Sequence, residues 1–174
     1  PSPLFSTALL GASLIELGGK ADQKKDLLTK IAKGELTTAF ALEEGSRHTP
    51  YRISTTAKKK GKDFVLNGKK TFVLDGHSAD LIVLAARTSG GIEDQSGISL
   101  FLIDPNSTGL QRKRTHMVDS RNASEIHLKG VEVSETKLLG ELDAGFSIIE
   151  EVLERGQIGI SAEMLGNTLE AFDI

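Results

Sequence analysis

The sequence predicts an α+β chain: a helix pair, then an antiparallel β domain of barrel or sandwich type, then a further helix. Two observations predict it. Apolar residues follow helical spacing near both ends, whereas from Leu36 to about Gly140 they alternate, as they do in strands. Within that middle region Gly, Asn, Asp and Pro recur at short intervals, which marks many short strands joined by turns.

The elements follow in order. Residues 4–17 carry Leu4, Phe5, Leu9, Leu10, Leu14, Ile15 and Leu17, too many apolar side chains for an exposed helix, and Gly18-Gly19 ends the segment like a helix C-cap. Residues 22–33 read as a second helix, with Asp22 as N-cap, a stripe of Leu27, Leu28, Ile31 and Ala32, and Gly34 closing it. Residues 36–42 are β-like, 43–50 form a loop, and 52–59 alternate as a half-buried strand. Asn67-Gly68 between two β-forming runs predicts a hairpin turn within 64–74. The run 80–87 (Asp-Leu-Ile-Val-Leu-Ala-Ala-Arg) is nearly all apolar and suits a buried strand. Strands are further expected over 98–103, 110–117 and 124–128, with a short one at Val131 and Val133. Phe146, Ile149, Val152, Leu153, Ile160, Met164 and Leu165 then return to helical spacing.

Composition narrows the class. Hydrophobic residues make up 39% and charged residues 26% of the 174, as in an ordinary globular chain. The net charge of −3 argues against a nucleic-acid binder, which carries a basic footprint. The chain has no cysteine, which excludes disulfides and thiolate metal sites and fits a reducing, cytoplasmic setting. No apolar run is long enough for a membrane span. The first residue is Pro1 and the last, Ile174, falls inside a helical pattern, so a piece of a longer protein is expected.

Residue chemistry alone names no reaction. There is no GxSxG, HExxH, P-loop or GxGxxG, and His48, His77, His116 and His127 lack metal-ligand spacing. Lys58-Lys59-Lys60 and Arg112-Lys113-Arg114 read as solvated strand ends.

A resemblance supplies what the chemistry does not. Residues 33–43 (Lys-Gly-Glu-Leu-Thr-Thr-Ala-Phe-Ala-Leu-Glu) are similar to the entry into the β domain of flavin-dependent acyl-CoA dehydrogenases. Thr55-Thr56-Ala57, Phe64-Val65-Leu66-Asn67-Gly68-Lys69-Lys70, Gly76 and Ala79-Asp80 follow where that family has T-x-A, Y-V-L-N-G-x-K and N-G-x-x-A-D. Residues 97–103, Gly109-Leu110, Arg121, residues 130–133, Leu139-Gly140 and Ala144-Gly145-Phe146 extend the likeness in the same order. It implies that residues 1–35 end an N-terminal helical domain, 36–141 form the middle β domain and 142–174 begin a C-terminal helical domain. It further implies α,β-dehydrogenation of an acyl-CoA thioester, with FAD as hydride acceptor, an electron-transfer flavoprotein or similar acceptor, and a homo- or hetero-oligomer.

Residue by residue, the resemblance implies a cofactor site at Phe40, Ala41, Leu42, His48, Phe72, Val73 and Leu74. Arg47, His48, Phe146, Glu154 and Gln157 fall on the substrate side. Leu42 stands where the family has a flavin-bonding Thr, His48 where it has a compact Ser, and Leu74 where the Thr of Trp-x-Thr donates to flavin. Phe72 keeps an aromatic ring at the Trp position, and Gln157 replaces a usual Arg. No catalytic base is assigned: where some members carry it on the last helix, this chain has Gly156, and in most it lies further on. These departures resemble a branch whose members work as one subunit of a two-subunit enzyme. A non-catalytic partner subunit with a degenerate flavin site is therefore one alternative, and a β-sandwich ligand-binding module is another.

Overall fold

A computed structural model describes residues 2–172. Residues Leu4–Gly11 are wound as a π-helix that continues into α1 (Ala12–Gly18). After it comes α2 (Ala21–Ala32). The strands are β1 (Thr38–Ala41), β2 (Thr56–Lys60), β3 (Asp63–Leu74), β4 (Leu81–Arg87), β5 (Ile98–Ile103), β6 (Leu110–His116), β7 (Asn122–Val133) and β8 (Leu138–Leu139). The long α3 (Gly145–Phe172) closes the order. No helix among the described residues is long and apolar enough to cross a membrane.

The α+β class expected from the sequence is present, but the β region is one eight-stranded sheet rather than a closed barrel. Its order is β6-β7-β3-β2-β4-β5-β8, with β1 against β4. It is not wholly antiparallel: β1 runs parallel to β4, Thr38 facing Leu81 and Ala41 facing Leu84. The sheet folds over its own core. Ala39 and Ala41 of β1, with Ile82, Leu84 and Ala86 of β4, meet Phe64, Leu66 and Val73 of β3 and Ile126 and Leu128 of β7. On the opposite face Phe40, Val83, Ala85 and Leu100 pack against Leu14 of α1 and Ile149 and Val152 of α3. Strand β4 is thus covered on both sides, which is why it reads as a continuous apolar run.

Several local expectations are corrected. Asn67-Gly68 is no turn: β3 runs through it, and the chain reverses instead between Lys60 and Asp63, with Gly61 at φ +65°. At Asn67 the β3–β7 register slips, and Asn67 Oδ1 accepts from the Gly130 amide at 2.8 Å, so Asn67 lies opposite a β-bulge whose extra residue is Gly130 of β7. The strands expected at 124–128 and 131–133 are one strand, β7. Asp22 lies in the first turn of α2 and does not cap it; the Lys20 amide donates to Gln23 Oε1 at 2.9 Å. The first expected helix is largely π-wound, a geometry that apolar spacing does not distinguish from α.

Candidate functional site

A cavity of about 360 Å³ opens where the helices meet the sheet. Phe40 and Leu42 at the end of β1 form one wall, and Phe72 and Leu74 at the end of β3 form the second. Phe5, Ser6 and Leu10 of the π-helix and Leu153, Gly156, Gln157 and Ile160 of α3 close it from the helical side. Glu43 and His48 supply its polar rim. A neighbouring cavity of about 380 Å³ shares Phe5, Ser6 and Leu74 and extends to Arg121 and Glu163, which are ion-paired.

The walls follow from local geometry. A second register slip in β3, between Lys70 and Val73, pushes Phe72 out of the ladder at φ +50°, and its side chain is more than half exposed. A bulged, left-handed position for a bulky residue is costly and persists only where neighbours hold it. Here the Thr71 amide donates to Glu43 O at 2.7 Å and the Thr71 hydroxyl to Gly45 O at 3.1 Å, which ties β3 to the loop after β1. The Ser6 hydroxyl donates to Asp75 and thereby joins the π-helix to the end of β3. Arg155 of α3 pairs with Glu16 of α1 and holds α3 to the helical layer.

Beneath the rim lies a fully buried cation. Lys70 Nζ donates to Leu42 O at 3.0 Å and to Glu44 Oε1 at 2.7 Å. Glu44 also accepts from the Ser54 and Thr55 amides at 2.7 and 2.9 Å. Burial pulls the Lys70 ammonium down to about 8 against the opposing pull of Glu44. Burial alone would raise the Glu44 carboxyl, but Lys70, Ser54 and Thr55 hold it at about 2. Both groups therefore remain charged at neutral pH. Arg87 anchors the far end of the same loop through the carbonyls of Tyr51 and Ile53, and burial lowers its pKa.

Of the residues singled out from the sequence, Phe40, Leu42, His48, Phe72, Leu74 and Gln157 come together in the lining of this cavity. Ala41 and Val73 point into the core between the sheet layers, and Phe146 packs against the helix-side core. Arg47 and Glu154 are exposed and outside the lining. His48 Nδ1 lies 2.6 Å from Glu43 Oε1. The Lys70–Glu44 pair was missed. Its signal was the alternation itself: counting from Phe64 and Leu66 puts Lys70 on the inward face. Among the described residues no cluster of three His, Cys, Asp or Glu could hold a metal ion.

A sheet folded over one core and packed on helices, with a largely apolar cavity at their junction, fits the middle domain of an acyl-CoA dehydrogenase. The family description "acyl-CoA dehydrogenase, middle domain" matches residues 39–131, and the chain belongs to that family. It is 33% identical to a 3-(aryl)acrylate reductase of Clostridium sporogenes over 95% of this chain and 45% of that protein. It is 34% identical to an acyl-CoA dehydrogenase of Bacillus subtilis over 90% of this chain and 42% of that one. The fold is similar to butyryl-CoA dehydrogenase from Megasphaera elsdenii (TM-score 0.87, 29% identity, 94% of this chain and 44% of that chain). A glutaryl-CoA dehydrogenase from Mycobacterium smegmatis in complex with FADH2 is also similar (TM-score 0.80, 26% identity, 90% and 40%). The chain thus spans less than half the length of these relatives.

Proposed function

We propose that the chain is the flavin-facing part of an enzyme that removes the α and β hydrogens of an acyl-CoA thioester, with residues 1–35 and 142–174 belonging to flanking helical domains. The observation that carries this reading is the Phe72 ring, bulged out of β3 toward an apolar slot whose opposite wall is Phe40 and Leu42. The cavity suits a planar ring system, since Phe40, Leu42, Phe72 and Leu74 give it apolar walls. FAD held there would supply the hydride acceptor. Phe72 would stack on its ring, and Gln157 and His48 offer hydrogen bonds from the rim. The glutaryl-CoA dehydrogenase complex with FADH2 supports the cofactor class. The electron acceptor is an electron-transfer flavoprotein or a similar carrier, and the whole enzyme is a homo- or hetero-oligomer. The test is anaerobic mixing of the full-length protein with a panel of acyl-CoA thioesters. Bleaching of bound flavin by one of them is expected, and a flavin that none of them reduces would contradict the reading.

A second reading is favoured by Leu74. An apolar side chain lines the cavity where a donor to flavin is expected from the family resemblance, which suits a subunit that shapes a partner's site without catalysing. In that case the full-length protein expressed alone would be colourless and would turn over only with its partner subunit.

A further inference from the structure

We propose that Lys70 is a positioning residue: through Leu42 O and Glu44 it holds the two sheet walls of the cavity, and with them the Phe72 ring, at a fixed separation. The inference rests on the flavin reading above for its consequence, but its geometry stands alone.

A buried ion pair is weak grounds for stability, because desolvating both charges offsets most of their attraction. Lys70 has no exposed surface, and the Glu44 side chain is only 11% exposed. Such a pair is better explained by what it fixes. Lys70 lies in β3 immediately before the slip that throws out Phe72, and its ammonium reaches across to the last carbonyl of the β1 wall. Glu44 carries the connection on to Ser54 and Thr55, the strand entry beyond the loop. The next residue, Thr71, adds its own amide bond to Glu43 O. Consecutive residues Lys70 and Thr71 thus clamp the chain from Leu42 to Gly45 against β3. Phe72 sits at the end of that clamp in a conformation it would not hold unaided. A side chain that sets cofactor geometry needs this kind of support from behind.

The test uses the full-length protein with Lys70→Met, Lys70→Met/Glu44→Gln and Lys70→Arg. Removing both charges together avoids a lone buried carboxylate, so the double variant should melt close to wild type. It should nevertheless exchange the Thr71 amide at least tenfold faster and bind FAD about tenfold more weakly. Lys70→Arg, which keeps the donor and the charge, should recover most of the Thr71 protection. Wild-type exchange and FAD affinity in the double variant would overturn the proposal. So would failure of that variant to fold, which would make Lys70 a general stability residue. If the wild-type protein carries no flavin, the flavin reading fails, while exchange at Thr71 still decides the positioning claim.

Discussion

His48 and Glu43 meet at the rim of the cavity, Nδ1 to Oε1 at 2.6 Å. Glu43 also takes the Thr49 amide at 3.4 Å, so the histidine is held within its own loop rather than free to swing. Arg47 is exposed beside it. An anionic ligand such as a pyrophosphate, approaching this rim, would meet both side chains. Replacing Arg47 and His48 together by Ala in the full-length protein should raise the dissociation constant for FAD or a CoA thioester about threefold, with a larger change at low salt. Equal affinities for mutant and wild type at low and high salt would make the pair ordinary surface residues.

Phe72 couples stability and binding in opposite directions. At φ +50° a side chain carries a cost of about 1 kcal/mol that glycine does not. Phe72 is 57% exposed, so removing its ring forfeits only part of the burial of a core phenylalanine in the ligand-free protein. Phe72→Gly should leave thermal stability unchanged or slightly raised while weakening FAD binding several-fold, since an aromatic face on a planar cofactor contributes about 1 kcal/mol beyond area. Calorimetry and a flavin titration on the same sample check both halves.

Gly68 pairs with Leu128 just after the first register slip, at φ +152°, and a Cβ there would fall 2.7 Å from Thr55 Cα and 2.4 Å from its hydroxyl oxygen. The obstacle includes backbone, so it cannot rotate away. Gly68→Ala should destabilise the protein by about 2 kcal/mol, read as a lower denaturant midpoint with an unchanged slope.

What could be read from the sequence follows from how local each signal is. Strand β4 was legible because burial on both faces leaves a contiguous apolar run, and α3 because one stripe packs on the sheet. The parallel pairing of β1 with β4 was not, since it joins residues 43 positions apart, such as Thr38 and Leu81, through a ladder that any strand could make. Asn67-Gly68 misled because a positive φ at Gly68 serves a turn or a continuous strand beside a register slip, and only the β7 partner decides which. In the site, Phe40, Leu42, Phe72 and Leu74 came from resemblance and line one cavity, whereas Ala41 and Val73 face the core. The clamp behind them stayed hidden because Lys70 follows Lys69 and looks like one more solvated lysine.

Glu44 gives the pH dependence. Its pKa is about 2 in the folded protein against an ordinary value of 4.5. A lowered folded pKa means that its contribution is fully present above about pH 4.5 and is lost as pH falls toward 2. Lys70 acts at the other end: the cost of burying its ammonium is relieved as pH rises from about 8 toward 10.5. Urea denaturation of wild type and Glu44→Gln at a series of pH values should show the acid-side slope in wild type and a shallower one in the variant.

The flavin content of the full-length protein, purified alone, decides whether the cavity is a cofactor site. A yellow protein is expected, one that retains stoichiometric FAD through gel filtration and loses most of it on Phe72→Ala. A folded, colourless protein that takes up no added FAD, or one whose flavin is indifferent to Phe72, would contradict it.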